Sequence, residues 1–132
     1  MNIFTPKGFL QVGGIILLVV GIVGYFGIIG PTPEASIFGE FWWFDNAENV
    51  AHTVLGLVAL AAAYGLKNAG TLKSLVMLLG IVGILVGLYG FITPGFLGAN
   101  LENPADNILH LVVGAWALAA SMKKPAGAGA PM

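Results

Sequence analysis

Two histidines stand at matching places in the chain, each four residues after an acid: Glu48 precedes His52, and Asp106 precedes His110. On a helix, a spacing of four puts both side chains on one face. Imidazole nitrogens and carboxylate oxygens together suit zinc, copper, iron or manganese. Two histidines can also be the axial ligands of a b-type haem, and histidine titrates near neutral pH. Simple hydrogen bonding between helices is the least demanding alternative.

The segment around each histidine is repeated. Residues 45–56 have a counterpart at residues 103–114, 58 positions later, and both contain an acid, an asparagine (Asn49 or Asn107), the histidine and then a glycine (Gly56 or Gly114). Gly21-Ile22-Val23-Gly24 likewise recurs as Gly80-Ile81-Val82-Gly83. This predicts two tandem hairpins, repeat 1 at about 9–66 and repeat 2 at about 72–122. An even number of spans per unit makes such repeats parallel, about an axis along the membrane normal.

These motifs resemble those of an uncharacterised family of small four-span bacterial membrane proteins, which is known only as a domain of unknown function. In that family N-x-x-H-x-x-x-G opens the second span, and a D-N-x-L-H motif opens the fourth. The matching residues here run from Asn49 through His52 to Gly56, and from Asp106 to His110. The resemblance covers nearly the whole chain. It implies a four-helix membrane fold and no particular activity.

The amino-acid composition is typical of a membrane protein. Of the 132 residues, 58% are hydrophobic and only 8% are charged, against roughly 25% charged in soluble domains. Four apolar runs, at residues 9–29, 47–66, 72–92 and 105–122, approach or reach the ~20 residues that span a bilayer. We therefore predict an all-α integral membrane protein with one four-helix domain at residues 1–122 and a flexible cytoplasmic tail at 123–132.

The charges predict the orientation of the chain. In a four-span topology every lysine falls on one side and every acid on the other. The lysines are Lys7, Lys67, Lys73, Lys123 and Lys124, and the acids are Glu34, Glu40, Asp45, Glu48, Glu102 and Asp106. Because lysine-rich loops favour the cytoplasm, we expect a multi-pass protein of the cell membrane with both termini cytoplasmic and the acidic loops outside.

Helix caps are the structural alternative for several polar residues. Asp45 is placed to be the N-cap of helix 2, with Glu48 completing a capping box. Asn103 is placed to cap helix 4, with Pro104 at the first helical position and Asp106 at the third. Asn49 and Asn107 complete the predicted polar cluster with the histidines and their acids.

Glycines and aromatic residues are the other distinctive features. Stripes of small residues let membrane helices pack closely, and we expect that role for Gly21, Gly24, Gly56, Gly80, Gly83, Gly87, Gly90 and Gly114. In the haem alternative, the glycines beside the histidines would instead make room for the porphyrin. The aromatic run Phe41, Trp42, Trp43 and Phe44 is typical of the membrane–water interface and is alternatively a docking surface for a partner.

The residue inventory narrows the function classes. The chain has no cysteine, no arginine and a net charge of −1, which argues against thiol chemistry, disulfides and nucleic-acid binding. No serine lies near a base, so we expect no enzyme. The favoured function is a structural or accessory membrane protein without a cofactor, packing in a homo-oligomer or larger complex, with the polar cluster locking the two repeats. A metal- or haem-binding protein is the second hypothesis, and a small cation or proton conductor is the third.

Overall fold

A computed structural model describes residues 1–93 and 95–123; Pro94, Lys124 and the rest of the predicted tail lie outside the described residues. Four α-helices dominate it, each long and apolar enough to span a membrane, which confirms the predicted all-α membrane fold. They are α1 (Pro6–Val23), α2 (Asn46–Gly65), α3 (Ala69–Ile92) and α4 (Ala105–Met122). Two short 3-10 turns (Pro33–Ala35 and Gly39–Phe41) lie between α1 and α2, and the two-residue strands β1 (Gly95–Phe96) and β2 (Ala99–Asn100) pair antiparallel between α3 and α4.

The helices form two tight pairs, α1 with α2 and α3 with α4. A Cβ added at Gly56 of α2 would lie 2.6 Å from the backbone nitrogen of Leu18 on α1, and one at Gly114 of α4 would lie 2.8 Å from that of Ile84 on α3. Glycine thus lets the two backbones of each pair approach directly, the arrangement typical of small residues at membrane helix contacts.

The two pairs meet through a small apolar core near the lysine-bearing end. It consists of Phe9, Leu10, Ala59, Ala62, Ala63, Leu72, Val76, Ala117 and Ala120. Trp116 of α4 packs edge-on to Phe9, with ring centroids 4.6 Å apart, and its indole N–H donates to the carbonyl of Ile3 at 2.8 Å. This contact fixes the N-terminal segment against the last helix.

The first helix is shorter at its C-terminal end than the apolar run predicted. It begins at Pro6, capped by Thr5, and ends at Val23, whereas we expected an apolar span to Ile29. Gly27 has φ +75°, a left-handed conformation that interrupts a helix and that glycine adopts without strain. Residues 25–29 are apolar but not helical. The apolar run overestimated the length of the helix because hydropathy reports burial in lipid and not backbone conformation.

The expected equivalence of Gly21–Gly24 with Gly80–Gly83 is wrong. Gly56 lies against the backbone of Gly14, and Gly114 lies against the backbone of Gly80. Gly14 and Gly80 are therefore the equivalent positions, and the first and third helices correspond at an offset of 66 positions. The second and fourth helices correspond at 58, the offset of Gly56 and Gly114. In glycine-rich helices a four-residue match recurs in several registers, and it therefore does not fix the alignment.

Candidate functional site

The polar site lies at the end of the bundle opposite the lysines, and its first part is the start of α2. Asp45 is the N-cap: its Oδ1 accepts a hydrogen bond from the backbone N–H of Glu48 at 2.9 Å, and Oε2 of Glu48 accepts from the N–H of Asp45 at 3.0 Å. This is a complete capping box. It orients the Glu48 side chain, which is only 3% exposed.

The start of α4 is built differently from our prediction. Asn103 does not cap this helix: the N-cap position is Pro104, and no side chain caps it. Instead, Oδ2 of Asp106 accepts from the backbone N–H of Glu102 at 3.0 Å, and the N–H of Asp106 donates to the carbonyl of Glu102 at 2.9 Å. Because this reciprocal pair closes the turn one residue earlier, Asn103 is exposed and Glu102 is drawn into the site.

Two hydrogen bonds cross between the helix pairs at this end. The indole N–H of Trp42, before α2, donates to Oδ1 of Asp106 on α4 at 2.8 Å. In return, the backbone N–H of Asn100, before α4, donates to Oδ2 of Asp45 at 2.7 Å. Each loop thus donates to the carboxylate that starts the other pair's second helix. The side-chain amide of Asn100 also donates to Oε1 of Glu102 at 2.7 Å, which extends the network.

Three buried carboxylates converge within this network. Glu48, Glu102 and Asp106 each place an oxygen within 4.8 Å of the others. Oε1 of Glu48 and Oε2 of Glu102 are buried without a hydrogen-bond partner among the described residues. Burial and the neighbouring Asp106 carboxylate raise the pKa of Glu102 to about 9. Carboxylate oxygens are ligands that calcium, magnesium and manganese prefer, so the cluster can hold protons or a divalent cation.

The histidines flank this cluster but do not belong to it. Nδ1 of His52 donates to the carbonyl of Glu48 and Nδ1 of His110 to that of Asp106, both at 2.7 Å. In the neutral imidazole this leaves Nε2 as the acceptor. The ring centroids are 6.5 Å apart, and His52 stacks on Phe44 at 4.6 Å. The four-residue spacing therefore serves a backbone hydrogen bond within each helix, and the ligand set predicted from both histidines with Glu48 and Asp106 is not assembled.

The side chains of Asn49 and Asn107 lie against Gly24, the C-cap of α1, and Gly90, near the end of α3. Both are fully buried. A Cβ at Gly24 would overlap Oδ1 of Asn49, and one at Gly90 would overlap Oδ1 of Asn107. Neither side-chain amide has a hydrogen-bond partner among the described residues. The two amides thus occupy equivalent positions, each against a glycine at the C-terminal end of α1 or α3.

The glycines beside the histidines do not make room for a porphyrin. The spaces above Gly56 and Gly114 are filled by the backbones of α1 and α3. The remaining glycines named from the sequence also contact the partner helix within a pair: Gly21 meets Thr53, Gly80 meets Leu118, Gly83 meets Gly114, and Gly87 meets Asn107 and Leu111. The haem hypothesis therefore loses the open space on which it depended.

The aromatic run divides between surface and site. Phe41 is 66% exposed, Trp43 is half-buried, and Phe44 is buried against Trp42 and His52. Sequence reasoning treated Trp42 as an interfacial residue and missed its bond to Asp106. It also left Asn100 and Glu102 out of the site. The one available signal was that Glu102, like Asp45, is an acid just before a span.

Four membrane-compatible helices and a buried polar cluster beneath one set of loops define a small multi-pass membrane protein. The family profile described as "Domain of unknown function (DUF4383)" matches residues 7–122. The chain belongs to this family. Comparisons with curated proteins and with solved structures gave no significant match.

Proposed function

We propose that this protein is an accessory membrane protein whose polar cluster locks two helix pairs into one rigid unit. The reciprocal hydrogen bonds Trp42 to Asp106 and Asn100 to Asp45 carry the proposal. Both acceptors are carboxyl groups that are at least partly buried, and a hydrogen bond within a protein contributes about 0.5–1.5 kcal/mol. Lipid supplies no hydrophobic drive for helix association, so polar links of this kind hold the acidic end together.

Assembly with a second copy or another membrane protein belongs to the same proposal. An apolar groove of about 380 Å³ lies beside the site, between the loop before α2 and the start of α4. Its lining includes the exposed side chains of Phe38, Phe41 and Ile108. A contiguous apolar surface next to an ordered loop is typical of a contact site.

Asp45→Asn tests the lock separately from the cap. Asparagine is as good an N-cap as aspartate, but its amide nitrogen cannot accept the hydrogen bond from Asn100. Spin labels at Glu40 and Leu97, exposed positions in the two loops, report the distance between the helix pairs. We expect a narrow distance distribution in the parent protein and a broad one after Asp45→Asn is combined with Trp42→Phe.

The matched control is a label pair at the other end, on Asn2 and Met122, which should keep its distance distribution in the same variant. An unchanged distribution for the acidic-end pair in a folded double variant would contradict the lock.

Divalent-cation binding is the second candidate function. Its specific support is the carboxylate cluster of Glu48, Glu102 and Asp106, with two buried oxygens lacking protein partners. No lysine lies on this side in the four-span topology, so protons or a cation must balance the clustered charge. The three carboxylates would be the ligands in this second candidate. The imidazoles would lie beside the ion in the surrounding shell.

Plasma mass spectrometry of protein purified in mild detergent tests this candidate, followed by calorimetric titration with calcium, magnesium and manganese. We expect one ion per chain, lost in Glu102→Gln and kept in Glu40→Gln, which removes an exposed acid from the same side. Retention of the ion in a folded His52→Ala/His110→Ala variant would place the histidines outside the ligand set. A protein that takes up none of the three ions would reject this candidate and leave protons on the cluster.

A further inference from the structure

A second cavity, whose surface is almost wholly apolar, lies at the opposite end of the bundle. This cavity of about 370 Å³ is bounded by the start of α1, the start of α3 and the end of α4. Its volume falls in the range of ~300–1,000 Å³ that is usual for small-molecule sites. The lining residues are Thr5, Pro6, Lys7, Ala69, Gly70, Leu72, Lys73 and Lys123. Three of these eight are lysines, and none of them is acidic.

The three lysines differ in their position relative to the helix dipoles. Lys7 lies in the first turn of α1 and Lys73 in the second turn of α3, and neither helix has an acid in its first turn. Helix N-termini carry a partial positive charge that falls off within the first turn, so Lys7 is in an electrostatically unfavourable position and Lys73 lies just beyond this effect. Only Lys123, at the C-cap of α4, has a favourable helix dipole beside it. An anion beside the cavity would offset the positive charge of all three lysines.

Backbone donors add to this attraction. Thr5 caps the N–H of Gly8, and Asn68 caps that of Thr71. The N–H groups of Ala69 and Gly70 precede these in the first turn of α3, where a helix has no internal acceptor for them. Backbone N–H groups of this kind are common ligands of phosphate. Nζ of Lys7 also lies 5.9 Å from the centroid of the Tyr64 ring, a weak cation–π contact.

The rest of the wall is apolar. Pro6, Ala69 and Leu72 line the cavity between the lysines, and Leu72 is buried. The site therefore combines cationic groups with an apolar surface at the end of membrane-spanning helices. A free phosphate would use only the cationic part, whereas a phospholipid would use both.

We propose that this cavity binds one anionic phospholipid, with the acyl chains along the apolar wall and the phosphate beside the exposed lysines Lys7, Lys73 and Lys123. The predicted cytoplasmic location of the lysine-bearing end places the site in the inner leaflet. The lipid would bridge α1, α3 and α4, joining the two helix pairs at the end opposite the carboxylate cluster. This inference does not depend on the proposed function.

Native mass spectrometry of the full chain in detergent tests the proposal by titration with phosphatidylglycerol, and with phosphatidylcholine of the same acyl chains. We expect one phosphatidylglycerol per chain. Each lysine near an anionic group contributes about fivefold in affinity, so the Lys7→Gln/Lys73→Gln/Lys123→Gln variant should bind it about 100-fold more weakly. Lys67→Gln is the matched control, since Lys67 lies on the same side but outside the cavity lining and donates to the carbonyl of Tyr64.

Three results would overturn the proposal. The first is equal binding of phosphatidylcholine, and the second is undiminished binding of phosphatidylglycerol by the triple variant. The third is equal stabilisation by inorganic phosphate and phosphatidylglycerol at the same concentration, which would identify a free-anion site. Because all three lysines are exposed, we expect the triple variant to fold. If the triple variant does not fold, Lys73→Gln alone tests the proposal, with an expected fivefold loss of affinity for phosphatidylglycerol.

Discussion

The indole nitrogen of Trp42 lies 2.8 Å from Oδ1 of Asp106, a residue 64 positions later in the chain. This bond joins the loop before α2 to the first turn of α4. Its mirror contact, from the N–H of Asn100 to Asp45, joins the other loop to α2. The acidic end is therefore held by two crossed links that begin in loops, although the helices themselves pack mainly within each pair.

Trp42→Phe should destabilise the protein by about 1–3 kcal/mol. The substitution keeps an aromatic ring beside Phe44 but leaves the buried Asp106 carboxylate without one donor, and an unsatisfied buried acceptor costs energy in this range. Chemical unfolding in detergent, followed by circular dichroism, measures the difference. Trp43→Phe, at the next position in the same loop, is the control and should change stability by less than about 0.5 kcal/mol. Equal stability of the two variants would show that the Trp42 bond contributes nothing.

Gly24→Ala and Gly90→Ala should each be severely destabilising, by more than about 2 kcal/mol. In each case the new methyl group would overlap the side-chain amide of the buried asparagine, Asn49 or Asn107. Gly65→Ala is the control, because a Cβ there meets nothing within 4 Å, and alanine is the better helix former.

The double variant Gly24→Ala/Asn49→Ala separates this overlap from a general effect of glycine replacement. Truncating Asn49 removes the group that the new methyl would overlap, so the double variant should be more stable than Gly24→Ala alone. Two variants that lose stability independently and additively would contradict a direct clash.

Stability should fall as the pH rises, and Glu102 should cause a definable part of the fall. The pKa of Glu102 is raised from 4.5 to about 9 in the folded protein, so the folded state keeps a proton that the unfolded state loses. Its contribution is complete below pH 4.5 and is lost as the pH rises towards 9.

The test compares unfolding free energies from pH 5 to pH 9 in EDTA, which keeps divalent cations off the carboxylates. Glu102→Gln carries a permanent neutral amide, and its stability should depend less on pH than that of the parent protein. Glu40→Gln, at an exposed acid, should follow the parent curve. Parallel curves for the parent protein and Glu102→Gln would refute a protonated Glu102.

Sequence reasoning worked best where the signal is an average over many residues. The four helices followed from apolar runs of nearly constant composition, and α4 has the predicted limits of Ala105 and Met122. The α2 cap followed from a local pattern, since Asp45 and Glu48 are three residues apart. The end of α1 did not follow, because residues 25–29 continue the apolar run of the helix although their backbone is not helical.

The site was harder to predict because its decisive contacts are distant in sequence. Glu102 enters through a bond to Asp106 that no capping rule specifies, and Trp42 reaches across to the other helix pair. The histidines illustrate the opposite problem. Each histidine follows an acid by four residues, which suggested a shared ligand set. In the structure each imidazole instead bonds to the backbone carbonyl of the residue four positions earlier in its own helix.

The orientation predicted from the lysines can be tested with single cysteines, because the chain has none of its own. Glu40 and Asn68 are both exposed and lie in loops at opposite ends of the helices. In intact cells, a membrane-impermeant maleimide should label Glu40→Cys at once. Asn68→Cys should react only after the cells are permeabilised, because the loop that carries Lys67 is expected in the cytoplasm.

Labelling after detergent solubilisation provides the control for reactivity, since both cysteines should then react at similar rates. The reverse pattern in intact cells would place the lysine-bearing end outside. The lysine-lined cavity would then face the outer leaflet, and the carboxylate cluster would meet cytoplasmic pH and cations. Because both sites depend on which solution they face, this measurement determines the conditions under which each of them must be studied.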